Sequence, residues 1–485
     1  MKPLVTIIFC FTLLNSEAQL PKWILGSSQY NISGYFNESA AGNIEIYELS
    51  FDGGVSCLER NIGESIQEII SVGTQDIMVT ALDDQGELLF YGFAAATVPF
   101  QSAGPVINDV IYFAAYDPLT GQDEVFGTVE TEGWASSVIE SELVRVPGSP
   151  DHYFFIYKTK ATTSYIDDIR YVEIDGTNKT VSGFENIIQN AYTGEGMAVS
   201  QVICPNVRGN GEDYRWLFTS SPDAEDNIVL TRSRITSTGI AAEDTHLIDI
   251  PGNSISVIAA IEISPGNDKL AVANYSTSST DKDVILFDLD PVSGELSGER
   301  YFTNDAEKPI VTMEFSPDGS RIYMIQGGSI SFENALYACP VTDSNYLIVT
   351  TDKITEIELI NSLTLETGFD GRIYVSPEPD ANYLYIIEDP NSDDPIISQT
   401  MTDLFGPGNR AGGAFPDQVD GETFYDIKCD LISGVEESGS DDHMLLIYPN
   451  PVTGTLRVKF PESFMSGSPV DVELIDGSGK IALKN

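Results

Sequence analysis

A hairpin that returns every 52 residues constrains this chain more than any other feature. Ile261–Ala273 reads IEISPGNDKLAVA, Met313–Met324 reads MEFSPDGSRIYM and Leu365–Val375 reads LETGFDGRIYV, so Pro265, Pro317 and Phe369 are spaced 52 residues apart. Each copy is an apolar run, a tight Pro/Gly/Asp turn and a second apolar run, the pattern of two antiparallel strands. Weaker copies are Val144–Ile156 and Cys204–Leu217. Between the copies lies a second hairpin type with an Asp turn: YDPLTG at Tyr116–Gly121, YVEIDG at Tyr171–Gly176 and LDPVSG at Leu289–Gly294. Asp suits such turns because its carboxylate accepts from the backbone N–H two residues on.

Two hairpins per period describe a four-stranded antiparallel blade, and one blade cannot bury both of its faces alone. The stretch from Asn31 to Asn391 has room for about seven such units. The less regular first hundred residues still hold a hairpin, Ile77–Leu82 followed by Glu87–Tyr91, with Asp83–Gly86 between. The expected fold is therefore all-β: a seven-bladed β-propeller over residues 31–430, followed by a small β-sandwich C-terminal module. Domain bounds are read as 1–18 for a leader, 31–430 for the propeller, 431–443 for an acidic flexible linker and 444–485 for the terminal module. The linker reading rests on the run EESGSDD at 436–442, and Cys57 and Cys429 would approach if the ring closes by strand exchange between its ends.

Both termini carry addresses. Met1-Lys2, an apolar run from Leu4 to Leu14 and Ser16-Glu17-Ala18 fit a secretory signal peptide cleaved after Ala18. That run is too short to span a bilayer, and the sequence has no transmembrane stretch further on. At the other end Tyr448-Pro449-Asn450-Pro451 precedes a strand through Gly454 and Leu456, and Asp476-Gly477-Ser478-Gly479 supplies a turn. Leu456, Val458 and Phe460 would share one face, with Val470, Val472 and Leu474 on a partner strand. On these residues the tail resembles the type A C-terminal sorting domain of the type IX secretion system of Bacteroidetes. The resemblance implies export to the medium or the outer cell surface, with the secretion machinery as partner. The tail departs from that family in stopping before its usual last strand and basic end, which reads as an incomplete module.

A second resemblance covers roughly Gly34 to Asn391. Phe287–Gly294, Glu314–Tyr323, Gly371–Ser376 and Leu384–Asn391 resemble the WD-like and lactonase-like propellers of secreted Bacteroidetes proteins. Turns of this kind specify architecture and not activity. Lactonase-like relatives imply His, Glu, Asp or Arg at a central channel, and this chain offers three histidines: His152 in a hairpin turn, His246 at a strand entrance and His443 in the linker. Each is read as structural. The sequence contains neither a Gly-x-Ser-x-Gly elbow nor a His-Glu-x-x-His motif. Asp288-Leu289-Asp290 and Asp83–Glu87 gather oxygen ligands of the kind calcium takes, yet neither fits a twelve-residue calcium loop, so both are read as turns and no cofactor or metal site is assigned. Cys57, Cys204, Cys339 and Cys429 include no Cys-x-x-Cys pair, which argues against zinc and leaves bridges and buried thiols both open.

The function expected is that of a binding or scaffold protein with an extracellular protein or glycan ligand, more readily than an enzyme. The alternative is a lactonase-like hydrolase. Charge narrows the partners: 74 acidic against 25 basic residues give a net charge of −49, a field that repels nucleic acids and anionic membranes. Because that field is self-repulsive and screened by salt, the melting temperature is expected to rise from low ionic strength to sea-water-like salt. The acidity is read as a solvated surface suited to a saline habitat; thermal melts across NaCl concentration check this, a flat series removes that reading, and a gain confined to calcium restores a metal site.

Overall fold

The structure is a computed structural model that describes thirty-three strands and many of the tight turns between them. Stretches such as 8–21, 27–45, 59–74, 400–445 and 449–456 lie outside the described residues. The chain divides into two units, Leu20–Phe424 and a smaller one made of Met1–Gln19 with Tyr425–Asn485. The smaller unit contributes β1 (Val5–Ile7). The larger opens with sheet I, β2 (Lys22–Gly26), β3 (Ile46–Ser50) and β4 (Gly54–Leu58).

Six further antiparallel sheets follow in chain order among the described residues. Sheet II is β5 (Gln75–Leu82), β6 (Leu88–Ala95), β7 (Val110–Asp117) and β8 (Gln122–Glu130). Sheet III is β9 (Ser141–Arg145), β10 (His152–Lys160), β11 (Asp167–Asp175) and β12 (Thr180–Ile188). Sheet IV holds β13 (Gln201–Ile203), β14 (Val207–Gly209), β15 (Glu212–Pro222), β16 (Ile228–Thr236) and β17 (Gly239–Ile248), with β13 and β14 both pairing β15. Sheet V runs β18 (Val257–Ile263), β19 (Lys269–Tyr275), β20 (Val284–Leu289), β21 (Leu296–Phe302), and sheet VI β22 (Ile310–Phe315), β23 (Arg321–Gln326), β24 (Ala335–Pro340), β25 (Asp352–Glu356). Sheet VII is β26 (Leu365–Thr367), β27 (Ile373–Val375), β28 (Tyr385–Ile387) and β29 (Ile397–Gln399). First strands of successive sheets lie against one another, β2 with β5, β5 with β9, β13 with β18, β18 with β22 and β22 with β26. That is the arrangement of a β-propeller, whose first strands are innermost.

Packing explains why the central strands read as unbroken apolar runs. On β10, Tyr153, Phe155 and Tyr157 join Phe90, Phe113 and Val172 in the seam between sheets II and III. Phe154 and Ile156 face the other way, into the seam with sheet IV, beside Val144, Tyr171, Leu217 and Ile235. The same division holds in sheet V, where Leu270 and Val272 meet Trp216 and Phe218 of sheet IV while Ala271 and Ala273 meet Met313 and Phe315 of sheet VI. A strand buried on both faces has no solvent side on which polar residues could alternate. Each large side chain so buried is worth about 1.5–3 kcal/mol.

Both repeated turns do the same work in every copy. Ser264 and Ser316 each close the hairpin between first and second strands: their N–H groups donate to the carbonyls of Lys269 and Arg321, and their hydroxyls accept from the N–H groups of those same residues. Gly368 repeats the backbone bond, donating to Arg372. Asn267, Gly319 and Gly371 occupy the left-handed region at the equivalent turn position, with φ of 52°, 68° and 76°. Pro265 and Pro317 thus sit at equivalent turns in successive sheets, as the 52-residue spacing requires. The Asp turns join third to fourth strands. Asp117 accepts from the N–H of Leu119, Asp175 from those of Thr177 and Asn178, and Asp290 from those of Val292 and Ser293. Asp290 is therefore a turn residue, and its neighbour Asp288 pairs with Arg300. Asp83–Glu87 lies outside the described residues.

The third-to-fourth turns also reach across the seams. Tyr214 of sheet IV donates its hydroxyl to the Val292 carbonyl at 2.6 Å, and Arg232 donates to the Ser293 carbonyl at 2.9 Å. Tyr323 of sheet VI likewise donates to the Pro390 carbonyl at 2.7 Å, and Lys179 reaches back to the Leu89 carbonyl at 3.2 Å. In sheets II to VI the pairing of third with fourth strand is interrupted by a register shift. Bulges of this kind twist an outer edge away from edge-to-edge association.

The smaller unit departs from expectation in its pairing. β30 (Leu446–Tyr448) pairs β31 (Arg457–Lys459), and β32 (Val472–Ile475) pairs β33 (Ile481–Lys484) and β1. Among the described residues the strand carrying Val458 pairs β30, and the strand carrying Val472 and Leu474 pairs β33 and β1. Local hairpins close short loops at lower entropic cost than the longer connection between β31 and β32. β32 and β33 are antiparallel, and the residues between them, 476–480, where the sequence reads as a turn, lie outside the described residues.

Gly294 tests the seam. Its φ is +67°, and a Cβ there would lie 2.8 Å from Trp216 and from Arg232. Gly294→Ala is expected to cost at least about 2 kcal/mol through both backbone strain and overpacking. Gly371→Ala, with φ of +76° but nothing within 4 Å, is expected to cost only the backbone share, about 1–2 kcal/mol. Urea unfolding midpoints of the two variants check the difference.

Candidate functional site

The innermost strands carry a carboxylate at a repeated position. Glu262, Glu314 and Glu366 fall on β18, β22 and β26, spaced by the same 52 residues and each two residues ahead of the turn-closing Ser264, Ser316 and Gly368. Across the sheet they face Ala271, Tyr323 and Tyr374 in register. Glu314 is 2% exposed and Glu366 7%, while Glu262 is half-buried. Glu314 Oε1 accepts from the Thr367 hydroxyl at 3.0 Å, and that hydroxyl also lies 3.2 Å from the Phe315 carbonyl, so the carboxylate ties β22 to β26 across a seam. A buried carboxylate tolerates such a place because hydrogen bonds compensate the loss of water. In the sequence these glutamates read only as part of the hairpin repeat. The signal was present nonetheless, since the second residue of each quoted hairpin copy is Glu.

A second buried polar group lies between sheets III and IV. Glu142 of β9 and Arg215 of β15 are 5% and 6% exposed. Both act electrostatically on the fully buried Cys204 thiol, which burial pushes well above its ordinary pKa, with Arg215 opposing and Glu142 adding to that rise. Cys204 is therefore a thiol and not a thiolate nucleophile at neutral pH. Cys204 and Cys339 are both buried; Cys57 lies in β4 and Cys429 outside the described residues.

The remaining candidate groups are held by neighbours. His152 is the first residue of β10 and not a turn residue, because its backbone pairs with Asp175. Its Nδ1 lies 2.9 Å from Glu173 Oε1 and its Nε2 3.6 Å from Asp175 Oδ2. The Asp175 carboxyl is held below its ordinary pKa, chiefly by the backbone and side-chain N–H groups of Asn178. His246 lies inside β17 and not at its entrance, with its ring edge-on to Phe287 at 5.2 Å across the seam. Arg232 and Arg234 of β16 stack over Trp216, 5.0 and 4.8 Å from its ring centroid, and Arg234 pairs with Glu243 at 2.8 Å. Arginines on an indole cover apolar surface and keep their charge. Among the described residues no three His, Cys, Asp or Glu side chains converge closely enough to hold a metal ion.

Of the sorting residues, Tyr448 closes β30. Pro449, Asn450, Pro451, Gly454, Leu456, Asp476, Gly477 and Gly479 lie outside the described residues, as do Ala18 and His443. Among the described residues no helix is long and apolar enough to cross a membrane.

No protein-family model matches the chain, and no curated protein does. Solved structures do. A candidate 6-phosphogluconolactonase of Bacteroides uniformis is 15% identical with a TM-score of 0.46, covering 78% of this chain and 97% of its own. One of Bacteroides fragilis is 12% identical with a TM-score of 0.44, covering 79% and 94%. A GH74 enzyme of Niastella koreensis is 13% identical with a TM-score of 0.41, covering 78% and 55%. At such identities and scores none of them assigns an activity here.

The tie between Glu314 and Thr367 is open to a double-mutant cycle. Glu314→Leu, Thr367→Val and the double variant are expected to show a coupling of about 0.5–3 kcal/mol in stability, the range for residues that share a hydrogen bond. Chemical denaturation checks it, and additivity would show that Glu314 is not committed to the seam.

Proposed function

We propose that this protein is a secreted or cell-surface binding or scaffold module, built as a closed ring of seven blades. In this reading type IX secretion machinery exports it through the C-terminal module, and its ligand is an extracellular protein or glycan. The observation that carries the non-catalytic reading is that the groups a hydrolase would need are already engaged. Glu314 bonds Thr367, His152 lies between Glu173 and Asp175, His246 packs on Phe287, and Asp290 caps a turn. A general acid or base needs a position within hydrogen-bond reach of a substrate; Glu314 and His246 are committed to seams, while His152 and Asp290 are held at the surface by groups of their own sheet. The reading calls for no cofactor. The alternative, a lactonase-like hydrolase, draws on the repeated Glu262, Glu314 and Glu366, the arrangement from which carboxylate acid-base chemistry would be built.

Two measurements test the pair of readings. Hydrolysis of γ- and δ-lactones by the full chain is expected to match the rate of a Glu262→Gln/Glu314→Gln/Glu366→Gln variant. A rate that collapses in that variant, with its fold intact by circular dichroism, establishes the hydrolase. For export, a reporter carries Met1–Ala18 and the C-terminal module, completed with the strand and basic end usual in the sorting family. It is expected outside a type IX-competent host and inside a host lacking the system. Retention in both hosts overturns the export reading.

A further inference from the structure

In the smaller unit β32 is the middle strand of three, and its two neighbours reach it by different routes. β33 returns after the short segment 476–480 and pairs antiparallel, with Glu473 opposite Lys484 and Leu474 opposite Leu483. β1 comes from the far end of the chain and pairs parallel, with Val5, Thr6 and Ile7 opposite Val472, Glu473 and Leu474. β1 lies inside the stretch Met1–Ala18 that reads as a leader. Removing that stretch takes away one ladder and leaves the other, so a row of backbone donors and acceptors along β32 loses its partner. Such an edge is a template for an added strand, with main-chain bonds supplying affinity and alternate side chains supplying choice.

We propose that the edge of β32 released by loss of the leader is a docking site for an extended segment of a partner protein. That segment adds in parallel and is uncharged and rich in β-branched residues. The chemistry of the occupant is set by the strand seated there, because Val5–Ile7 reads VTI, each residue β-branched and uncharged. β-Branched residues suit a strand, and an uncharged segment adds no repulsion in a chain of net charge −49. In the unprocessed chain the leader covers the edge, so docking begins only after processing. The proposal rests on reading Met1–Ala18 as a removable leader, and it names a surface that the sorting motif does not include.

Amide hydrogen exchange on recombinant chains tests it. In the full chain the amides of 472–474 are expected to exchange at least about tenfold more slowly than in a chain that begins at Gln19. Adding a synthetic peptide of residues 3–9 to the shorter chain is expected to restore the slow rate. The same peptide with Thr6→Pro, which lacks a backbone donor, is expected to leave it fast. Amides of β33 are expected to hold their rates throughout. Equal exchange at 472–474 in the two chains, or no effect of the peptide, overturns the proposal. So does loss of β33 protection in the shorter chain, since β1 would then be an integral part of the module and not its cover. Failure of the leader reading is distinguishable: protein recovered from its producing cells would retain Met1 by mass spectrometry, whatever the exchange comparison returns.

Discussion

Burial of the central strands on both faces is the constraint on which the larger unit depends. Phe154 and Phe155 are adjacent on β10 yet serve different seams, and Ala271 and Val272 are divided in the same way. A sheet of this kind has no solvent face, so it cannot persist outside the stack. Its stability is shared with both neighbours, in the manner of repeat architectures whose units contact only adjacent units. The seams are not chemically uniform. Between sheets II and III they are aromatic, with Phe90 edge-on to Tyr153 at 5.2 Å and Phe113 edge-on to Phe155 at 5.3 Å. Between sheets V and VI small alanines meet Met313, Phe315 and Met324.

This constraint governs the polar residues as well. A group that enters a seam must find a partner there, which is the position of Glu314 with Thr367 and of Arg232 with the Ser293 carbonyl. The third-to-fourth turns use the same device to reach a neighbouring sheet, through Tyr214 to Val292 and Tyr323 to Pro390. Polar groups of the seams thus bind blade to blade. They also fix the side chains concerned, so that Glu314 and Arg232 belong to the packing of the seams.

Much of the architecture was legible because the turns are local. Ser-Pro-Asp-Gly and Asp-Pro-x-Ser/Thr-Gly encode their own hydrogen bonds within a few residues, and the structure places both at the same two corners of successive sheets. The candidate site was less legible. Glu262, Glu314 and Glu366 repeat in the sequence, but only the packing of β22 against β26 shows that one of them bonds across a seam. His152 reads as a turn residue beside Pro150 and Asp151, yet it opens a strand, because the hairpin closes one residue earlier through Val146 and the His152 carbonyl. In the tail, alternation of apolar residues shows which residues share a face and not which strand lies beside it, so the pairing of β32 with β1 and β33 comes from the structure.

The sequence by itself determined the all-β class, the 52-residue unit, the turn chemistry and the acidic surface, because each follows from residues close together in the chain or from composition. The tertiary structure alone decided which face of each strand meets which neighbour, which carboxylates are buried, and that β32 takes β1 and β33 as partners. These depend on residues far apart in sequence. Their contacts are set by how sheets buried on both faces stack, and no local pattern records that.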